Sequence, residues 1–147
     1  MIIKEANESL FDSSADTLVC PVNCQGVMGR GLALPFKQRC GGLFENYQAF
    51  CKAGKLEPGI LYLWVPEQGP KVLCFPTKIK WIQPSKKEYL EAGLKALVTH
   101  YKEMGIKRIA IPPLGCGNGQ MDYLRCVRPL LLQYLSDIDL EVELLVI

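Results

Sequence analysis

The chain has 147 residues, of which 49% are hydrophobic and 22% charged, and this length and composition indicate one ordinary globular domain over residues 1–147. Its formal net charge of +2 is too small to indicate nucleic acid as a general electrostatic partner. No apolar run approaches the roughly 20 residues that cross a bilayer, and the first residues do not resemble a signal peptide. We therefore expect a cytoplasmic protein without a membrane partner.

The first third of the chain predicts two strands and two helices. Residues 2–5 are typical of an edge strand, and residues 18–22 are typical of a short buried strand. Residues 31–38 begin a helix in which Pro35 is tolerated only within the first turn. Residues 43–51 predict a second helical piece.

The middle of the chain predicts a pair of strands and a long helix. After a turn that begins at Gly54, residues 60–65 and 72–75 are separated by a proline-flanked segment, which favours paired strands. Ser85 and Glu88 have the spacing of a capping box, in which each side chain bonds the other residue's backbone N–H. We therefore expect a helix to begin there, and apolar residues at helical period follow.

The last third predicts a strand, a helix and a final strand. Residues 106–112 form the first of these strands, and residues 142–147 form the second. Between them, apolar positions in residues 124–135 mark an amphipathic helix, which Pro129 either kinks or forces to begin near Arg125. This succession of elements predicts an α/β fold with a mixed, mostly parallel sheet and helices on both faces.

Two glycine-rich segments each follow a predicted strand. They occupy residues 23–33 and 112–119. Glycine weakens the interior of an element, so its concentration here indicates backbone that bends sharply or lies against a ligand. Ligands of α/β sheets bind at the carboxyl ends of strands, where unpaired N–H groups attract anions. Two such loops in one small domain predict a clamp around a phosphorylated ligand.

Other common sites do not fit this sequence. The two loops read Gly-x-x-Gly-x-Gly and Gly-x-Gly-x-Gly, which match neither the phosphate loop of nucleotide hydrolases nor the dinucleotide fingerprint. The seven cysteines contain no Cys-x-x-Cys pair, and the one histidine, His100, lies late in a predicted helix and is interpreted as an ordinary surface residue. We therefore expect reduced thiols and neither a metal nor a cofactor.

Three segments, in this order along the chain, resemble the macrodomain family. They read LVCPVNCQGVMGRGLA at residues 18–33, FPTKIKW at residues 75–81 and IPPLGCGNG at residues 111–119. Within the family they are most similar to the branch of DarG-type antitoxin macrodomains, which are DNA ADP-ribosyl glycohydrolases, and more distantly to the human terminal ADP-ribose glycohydrolase. The resemblance covers nearly the whole chain and implies a three-layer α/β/α macrodomain that binds ADP-ribose.

The resemblance also implies a role for each segment. Asn23 is expected to hydrogen-bond the distal ribose, while residues 29–31 and 114–119 hold the diphosphate from opposite sides. Lys78 stands where this branch has its lysine for glycohydrolysis, so Lys78 and Asn23 are expected to carry the chemistry. The implied ligand-binding residues are Ser9, Leu10, Gly26, Val27, Met28, Gly29, Arg30, Gly31, Leu32, Thr77, Pro113, Leu114, Gly115, Cys116, Gly117, Asn118 and Gly119.

The implied role of Lys78 is to attack or to stabilise the anomeric carbon. A lysine has a pKa of about 10.4 and is a poor nucleophile until burial or a neighbouring cation lowers that value. In an extended strand Lys80 would share the face of Lys78, as a rival or as that neighbouring cation. Trp81 and the lysines around it either border the substrate strand or form a solvated edge. The alternative for both lysines is contact with phosphate or solvent only.

The chain departs from the family pattern at two positions. Many macrodomains bind the adenine amino group with an aspartate where this chain has Ser9, so adenine recognition is expected from Ser9 or from the Leu10 backbone. The human relative has a catalytic aspartate at the position of Gly119. Lys78 would then act without that partner, or Asp122 would substitute for it, although Asp122 is equally plausible at a helix start.

The function implied by the resemblance is removal of ADP-ribose from a nucleobase, with thymidine in DNA as the expected substrate. The alternatives are a module that binds ADP-ribose without cleaving it, and a hydrolase of protein-linked ADP-ribose or of O-acetyl-ADP-ribose. The expected partners are therefore ADP-ribose and an ADP-ribosylated DNA or protein, and the chain is expected to be a monomer.

Overall fold

A computed structural model describes residues 2–145, which form a six-stranded sheet with α-helices on both faces. The strand order is β1-β6-β5-β2-β4-β3. Neighbouring strands run parallel except for β3, which is antiparallel to β4. The strands are β1 Ile2–Ala6, β2 Thr17–Val22, β3 Tyr62–Trp64, β4 Lys71–Pro76, β5 Arg108–Ile111 and β6 Glu141–Leu145.

Alternating side chains of the strands build two separate cores, one on each face of the sheet. On one face, Val19, Phe75 and Ile111 pack against helices α3 and α4. On the other face, Cys20 and Cys74 pack against α1 and α2. These layers confirm the predicted three-layer fold with a mixed, mostly parallel sheet. The helices are α1 Ala33–Arg39, α2 Leu43–Lys52, α3 Lys87–His100 and α4 Arg128–Leu135.

The predicted strands and helices are confirmed in order and type. The first strand lies at an edge of the sheet, as expected. The two predicted strands of the middle region form β3 and β4, and they follow Gly54, which has φ +71°. Pro35 lies within the first turn of α1, where a missing N–H does no harm. The end of the predicted final strand, residues 146–147, lies outside the described residues.

Two helix starts differ from the prediction. The capping box is wrong, because α3 has Lys86 at its N-cap with no side-chain cap bond, and Ser85 is turned inward. The last helix begins at Arg128, and a π-helical turn, Tyr123–Val127, precedes it. This wider turn displaces the apolar stripe, so Leu124 is 72% exposed instead of buried.

Three parallel strands bring the glycine loops to one edge of the sheet. β2 pairs with β4 along its whole length, whereas its pairing with β5 ends at Leu18 and Ala110. Beyond that point Pro21 has no N–H to donate to a neighbouring strand. The carboxyl ends of β2 and β5 therefore separate, and a crevice opens where such sheets bind ligands.

The described residues contain neither a membrane-spanning helix nor a cluster of metal ligands. No helix within residues 2–145 is long and apolar enough to cross a bilayer. The same residues hold no group of three or more His, Cys, Asp or Glu side chains arranged around a cation. His100 lies on the surface and pairs with Glu103 at 2.7 Å, as expected for an ordinary surface histidine.

Candidate functional site

A cleft of about 330 Å³ lies between the separated ends of β2 and β5. Three segments meet in it, namely the two glycine loops and the chain that follows β4. The cleft therefore brings together most of the residues that the sequence predicted. Its lining comprises Pro21, Val22, Asn23, Val27, Gly29, Arg30, Gly31, Leu32, Ala33, Thr77, Lys78, Trp81, Ser85, Pro113, Gly115, Cys116, Gly117, Asn118 and Gly119.

The first glycine loop is shaped by the side chain of Asn23. Its Oδ1 accepts hydrogen bonds from the backbone N–H groups of Gln25 (3.0 Å) and Val27 (3.3 Å), and its Nδ2 donates to the Val27 carbonyl at 2.8 Å. The Tyr47 hydroxyl donates to the Asn23 carbonyl at 2.7 Å. An amide nitrogen carries two hydrogens, so one Nδ2 donor of this cleft-lining residue has no acceptor among the described residues.

Tyr47 supports this loop from within the core. Its side chain is fully buried on α2, and burial raises the pKa of its hydroxyl far above the ordinary value. The hydroxyl therefore stays protonated and remains a hydrogen-bond donor to Asn23. No local sequence pattern indicates this contact, because the two residues lie on segments that only the tertiary fold brings together.

The two glycine loops approach each other closely at Gly31. This residue has φ +64°, a left-handed conformation that favours glycine. A Cβ atom built on it would lie 2.9 Å from Nδ2 of Asn118 in the second loop. A side chain at this position would therefore displace the Asn118 side chain, and its left-handed backbone would be strained.

The segment after β4 is tied to the first loop by backbone contacts. The N–H of Cys24 donates to the Ile79 carbonyl at 3.0 Å, and the N–H of Trp81 donates to Oε1 of Gln25 at 3.0 Å. Thr77 is buried at the base of the cleft. These bonds fix the position of Lys78, which lies between Thr77 and the Trp81 turn.

Lys78 stands where all three segments meet. Its Nζ donates to the carbonyl oxygens of Trp81 and Asn118, at 3.2 Å each. Burial, followed by the nearby positive charge of Arg30, lowers the pKa of the Lys78 amine below its ordinary value. The Arg30 guanidinium itself lies 5.3 Å from the centre of the Trp81 ring.

Lys80 does not lie on the same face as Lys78, as it would in an extended strand. Strand β4 ends at Pro76 and the chain turns, so Lys80 does not share a face with Lys78. Lys80 is exposed and lies outside the lining of the cleft. The cation that lowers the pKa of Lys78 is Arg30, which comes from the first glycine loop.

The second glycine loop presents its backbone to the cleft. Gly115 and Gly117 have φ of +73° and +67°, which permits a sharp turn that other residues rarely adopt. Within the described chain, the N–H groups of these two glycines have no backbone acceptor. The Cys116 N–H between them donates to the Pro113 carbonyl at 3.4 Å. Free N–H groups at such a turn suit the oxygens of a diphosphate.

Ser85 is a lining residue that the sequence interpretation missed. It is 8% exposed, its backbone N–H donates to the Gly119 carbonyl at 3.0 Å, and its Oγ has no hydrogen-bond partner among the described residues. The sequence interpretation assigned Ser85 to a capping box, because a serine followed three residues later by a glutamate predicts a helix start at the surface.

A second cavity of about 310 Å³ adjoins the cleft and shares Leu32, Pro113, Cys116 and Gly117 with it. Ser9 and Leu10, which the sequence predicted for adenine, line this cavity together with Phe11, which it did not. Oγ of Ser9 accepts from the N–H of Phe11 at 3.3 Å and so begins a short 3₁₀ turn.

Four residues named from the resemblance point away from the cleft. Met28 is 1% exposed, and both it and Leu114 belong to the hydrophobic cores, so their side chains are not available to a ligand. Gly26 faces α2, where a Cβ would meet Gln48 at 3.2 Å. Asp122 caps the π-helical turn through Arg125, which corresponds to the helix-start alternative.

The Macro domain family profile matches residues 19–129. The chain is 39% identical over 143 residues to the DNA ADP-ribosyl glycohydrolase of Mycobacterium tuberculosis (94% of this chain, 41% of the relative). It is 38% identical over 120 residues to the enzyme of the same name from Thermus aquaticus (78% of this chain, 33% of the relative). The chain thus spans at most 41% of the length of these two relatives.

Two solved structures also match nearly the whole of this chain. The macrodomain of Mycobacterium tuberculosis DarG superimposes with a TM-score of 0.91 at 35% identity, covering 98% of this chain and 97% of that chain. Thermosipho africanus DarTG in complex with ADP-ribose superimposes with a TM-score of 0.93 at 34% identity, covering 98% of this chain and 41% of that one. The fold and the order of the site segments are therefore shared with these proteins.

Proposed function

This chain belongs to the Macro domain family, and we propose that it is an ADP-ribosyl glycohydrolase that removes ADP-ribose from a modified nucleobase in DNA. The observation that carries the proposal is the placement of the Lys78 amine between two glycine loops, where burial and Arg30 lower its pKa. A lysine that only binds phosphate acts best when charged, whereas a lowered pKa suits a nucleophile. The names of the Mycobacterium and Thermus relatives support the same activity.

The proposed ligand extends across both cavities. The adenine end occupies the smaller cavity beside Ser9, Leu10 and Phe11. The diphosphate lies in the shared region, against the unpaired N–H groups of Gly115 and Gly117. The distal ribose then reaches Lys78, because the cleft continues from the shared region to the Trp81 turn.

The surroundings of Lys78 direct its lone pair. A neutral amine has two N–H groups, and the carbonyls of Trp81 and Asn118 accept both. The lone pair is therefore left to attack the anomeric carbon. The bond from that carbon to the base breaks, and the base leaves with the electron pair and takes a proton from the new ammonium. Water then hydrolyses the lysine adduct, which releases ADP-ribose and restores the amine.

The DNA is proposed to approach along the Trp81 turn. Trp81 is 42% exposed and Ile82 is 71% exposed, while Lys80 and Lys86 stand beside them in solvent. An aromatic surface next to lysines suits a single strand, because bases stack on the ring and phosphates meet the cations. The exposed apolar side chains of Ile79, Trp81 and Ile82 follow Lys78 along the chain, at the edge of the cleft, and such a surface fits a macromolecular substrate rather than free ADP-ribose.

Turnover of two substrates tests this function. ADP-ribosylated DNA and ADP-ribosylated protein are incubated side by side with the wild-type chain, and free ADP-ribose is measured. We expect release from the DNA. Binding of ADP-ribose without release from either substrate would instead identify a binding module, and release from the protein alone would reject the nucleobase substrate.

Two variants test the role of Lys78. K78A is expected to lower release by at least about 10²-fold while ADP-ribose affinity stays within about threefold, because the amine acts on the reaction more than on binding. K78R keeps the charge but cannot form a neutral amine at ordinary pH, so it should be equally inactive. The adduct on Lys78 is a glycosylamine, which opens to an imine when its N–H proton passes to the ring oxygen. Borohydride reduces that imine and should trap the wild-type adduct; an active K78R variant without any trapped adduct would show that the lysine acts only by its charge.

We also propose that the chain works as a monomer in the cytoplasm. All seven cysteines are unpaired, which is typical of proteins in a reducing compartment. Light scattering of the purified chain tests the monomer, and a larger mass would contradict it.

A further inference from the structure

The Ser85 hydroxyl is a buried polar group without a partner in the described protein. Ser85 is 8% exposed, and its Oγ makes no hydrogen bond although it lies at the wall of the cleft. A buried hydroxyl that lacks a partner destabilises the folded state unless another group completes its bonding. This Oγ is closed to solvent beside Gly119, and a rotation about χ1 brings it to the cleft, where a ligand becomes its partner.

The second glycine loop is built to let this hydroxyl approach. A Cβ on Gly119 would lie 2.4 Å from Oγ of Ser85, and a Cβ on Gly115 would lie 3.2 Å from the Ser85 Cβ. The Ser85 N–H also bonds the Gly119 carbonyl at 3.0 Å. Glycine at both positions thus leaves the space that Ser85 occupies, and a side chain at either one would displace it.

The position of Ser85 selects one end of the proposed ligand. Gly119 follows Asn118, whose carbonyl binds the Lys78 amine. Ser85 does not line the adenine cavity, whereas Cys116 and Gly117 do. Ser85 therefore lies toward the reactive end of the cleft, near Lys78. In the proposed complex the distal ribose and its hydroxyl groups occupy this end, and the diphosphate lies between the ribose and the adenine cavity.

We infer that Ser85 binds a hydroxyl group of the distal ribose and holds that ring against Lys78. This inference rests on the proposed function, since it requires ADP-ribose in the cleft. A serine hydroxyl both donates and accepts, which matches a sugar hydroxyl. Ser85 thus supplies, from the segment after β4, a polar contact that a side chain at position 119 cannot provide in this chain.

Calorimetric binding of two ligands to the wild type, S85A and S85C tests the inference. ADP-ribose carries the distal ribose, and ADP lacks it. We expect S85A to lose about tenfold in affinity for ADP-ribose, as for one hydrogen bond, with no change for ADP. S85C keeps the size of the side chain but has a weaker donor, and should lose affinity for ADP-ribose alone. Ser136→Ala removes a hydroxyl at the opposite edge of the sheet and is the matched control.

The remaining outcomes overturn the inference. An equal loss for both ligands would assign Ser85 to the diphosphate or to loop packing, and an unchanged affinity for ADP-ribose would leave it without a ligand contact. The melting temperature separates packing from binding: removal of an unpartnered hydroxyl should leave it unchanged or raised. Failure of the wild type to bind ADP-ribose would reject the proposed function itself, which makes the two failures distinguishable.

Discussion

The two glycine loops have similar compositions but are held in place by different means. The first loop depends on side chains, because Asn23 bonds the N–H and carbonyl groups around it and Tyr47 anchors Asn23 from the core. The second loop depends on shape, since Gly115 and Gly119 lie directly against Ser85. Similar glycine patterns therefore place different demands on substitution: the first loop needs its anchors, and the second needs empty space.

The largest expected effect is that of Gly119→Ala in the second loop. The added methyl group would lie 2.4 Å from Oγ of Ser85, and overpacking of this kind costs about 1–3 kcal/mol. Urea denaturation should show a lower free energy of unfolding. The double variant G119A/S85G removes the colliding atoms and should recover most of the loss; no recovery would mean that the clash is not the cause.

Tyr47→Phe is expected to have the next largest effect and concerns the first loop. It removes the hydroxyl that donates to the Asn23 carbonyl and leaves that buried acceptor unpaired, which costs about 1–2 kcal/mol. Thermal and urea denaturation measure the loss, and ADP-ribose affinity should fall with it. Since the raised pKa of Tyr47 keeps the hydroxyl protonated, the difference from wild type should not vary between pH 6 and about 9; a clear variation would contradict this assignment.

Arg30→Gln tests the connection between the first loop and the reactive lysine. Arg30 lowers the pKa of Lys78, so its removal should raise that pKa. Because the proposed reaction uses the neutral amine, the pH range over which the rate rises should move to higher pH. Lys80→Gln is the matched variant and should leave that pH range in place; a shift caused by Lys80 and not by Arg30 would restore the prediction made from the sequence.

Gly29→Ala should have the smallest effect on stability. No atom lies within 4 Å of a Cβ built on Gly29, so the free energy of unfolding should stay within about 0.5 kcal/mol of wild type. The added methyl group faces the cleft, and ADP-ribose affinity should therefore fall. A loss of stability as large as that of G119A would remove the contrast between the two loops.

The sequence predicted the succession of elements because hydrophobic period and turn residues act locally. Both glycine loops follow from such local signals, and the parallel order of β2, β4 and β5 brings the loops together as expected. Two errors show the limit of this approach. Ser85 has the spacing of a cap, and Lys80 has the spacing of a strand neighbour, but the fold turns Ser85 inward and ends β4 at Pro76.

The sequence by itself determined the α/β class and the two loops, since these depend on residue type and on the order of motifs, and its resemblance to the macrodomain family predicted a role for Lys78. Only the tertiary structure decided which groups surround Lys78, which bond maintains Asn23 and which hydroxyl in the cleft wall is left without a partner among the described residues. Arg30, Tyr47 and Ser85 are distant from their partners along the chain. Their contacts form because the edge of the sheet brings distant segments together. A local sequence pattern carries no information about contacts between residues that are far apart along the chain.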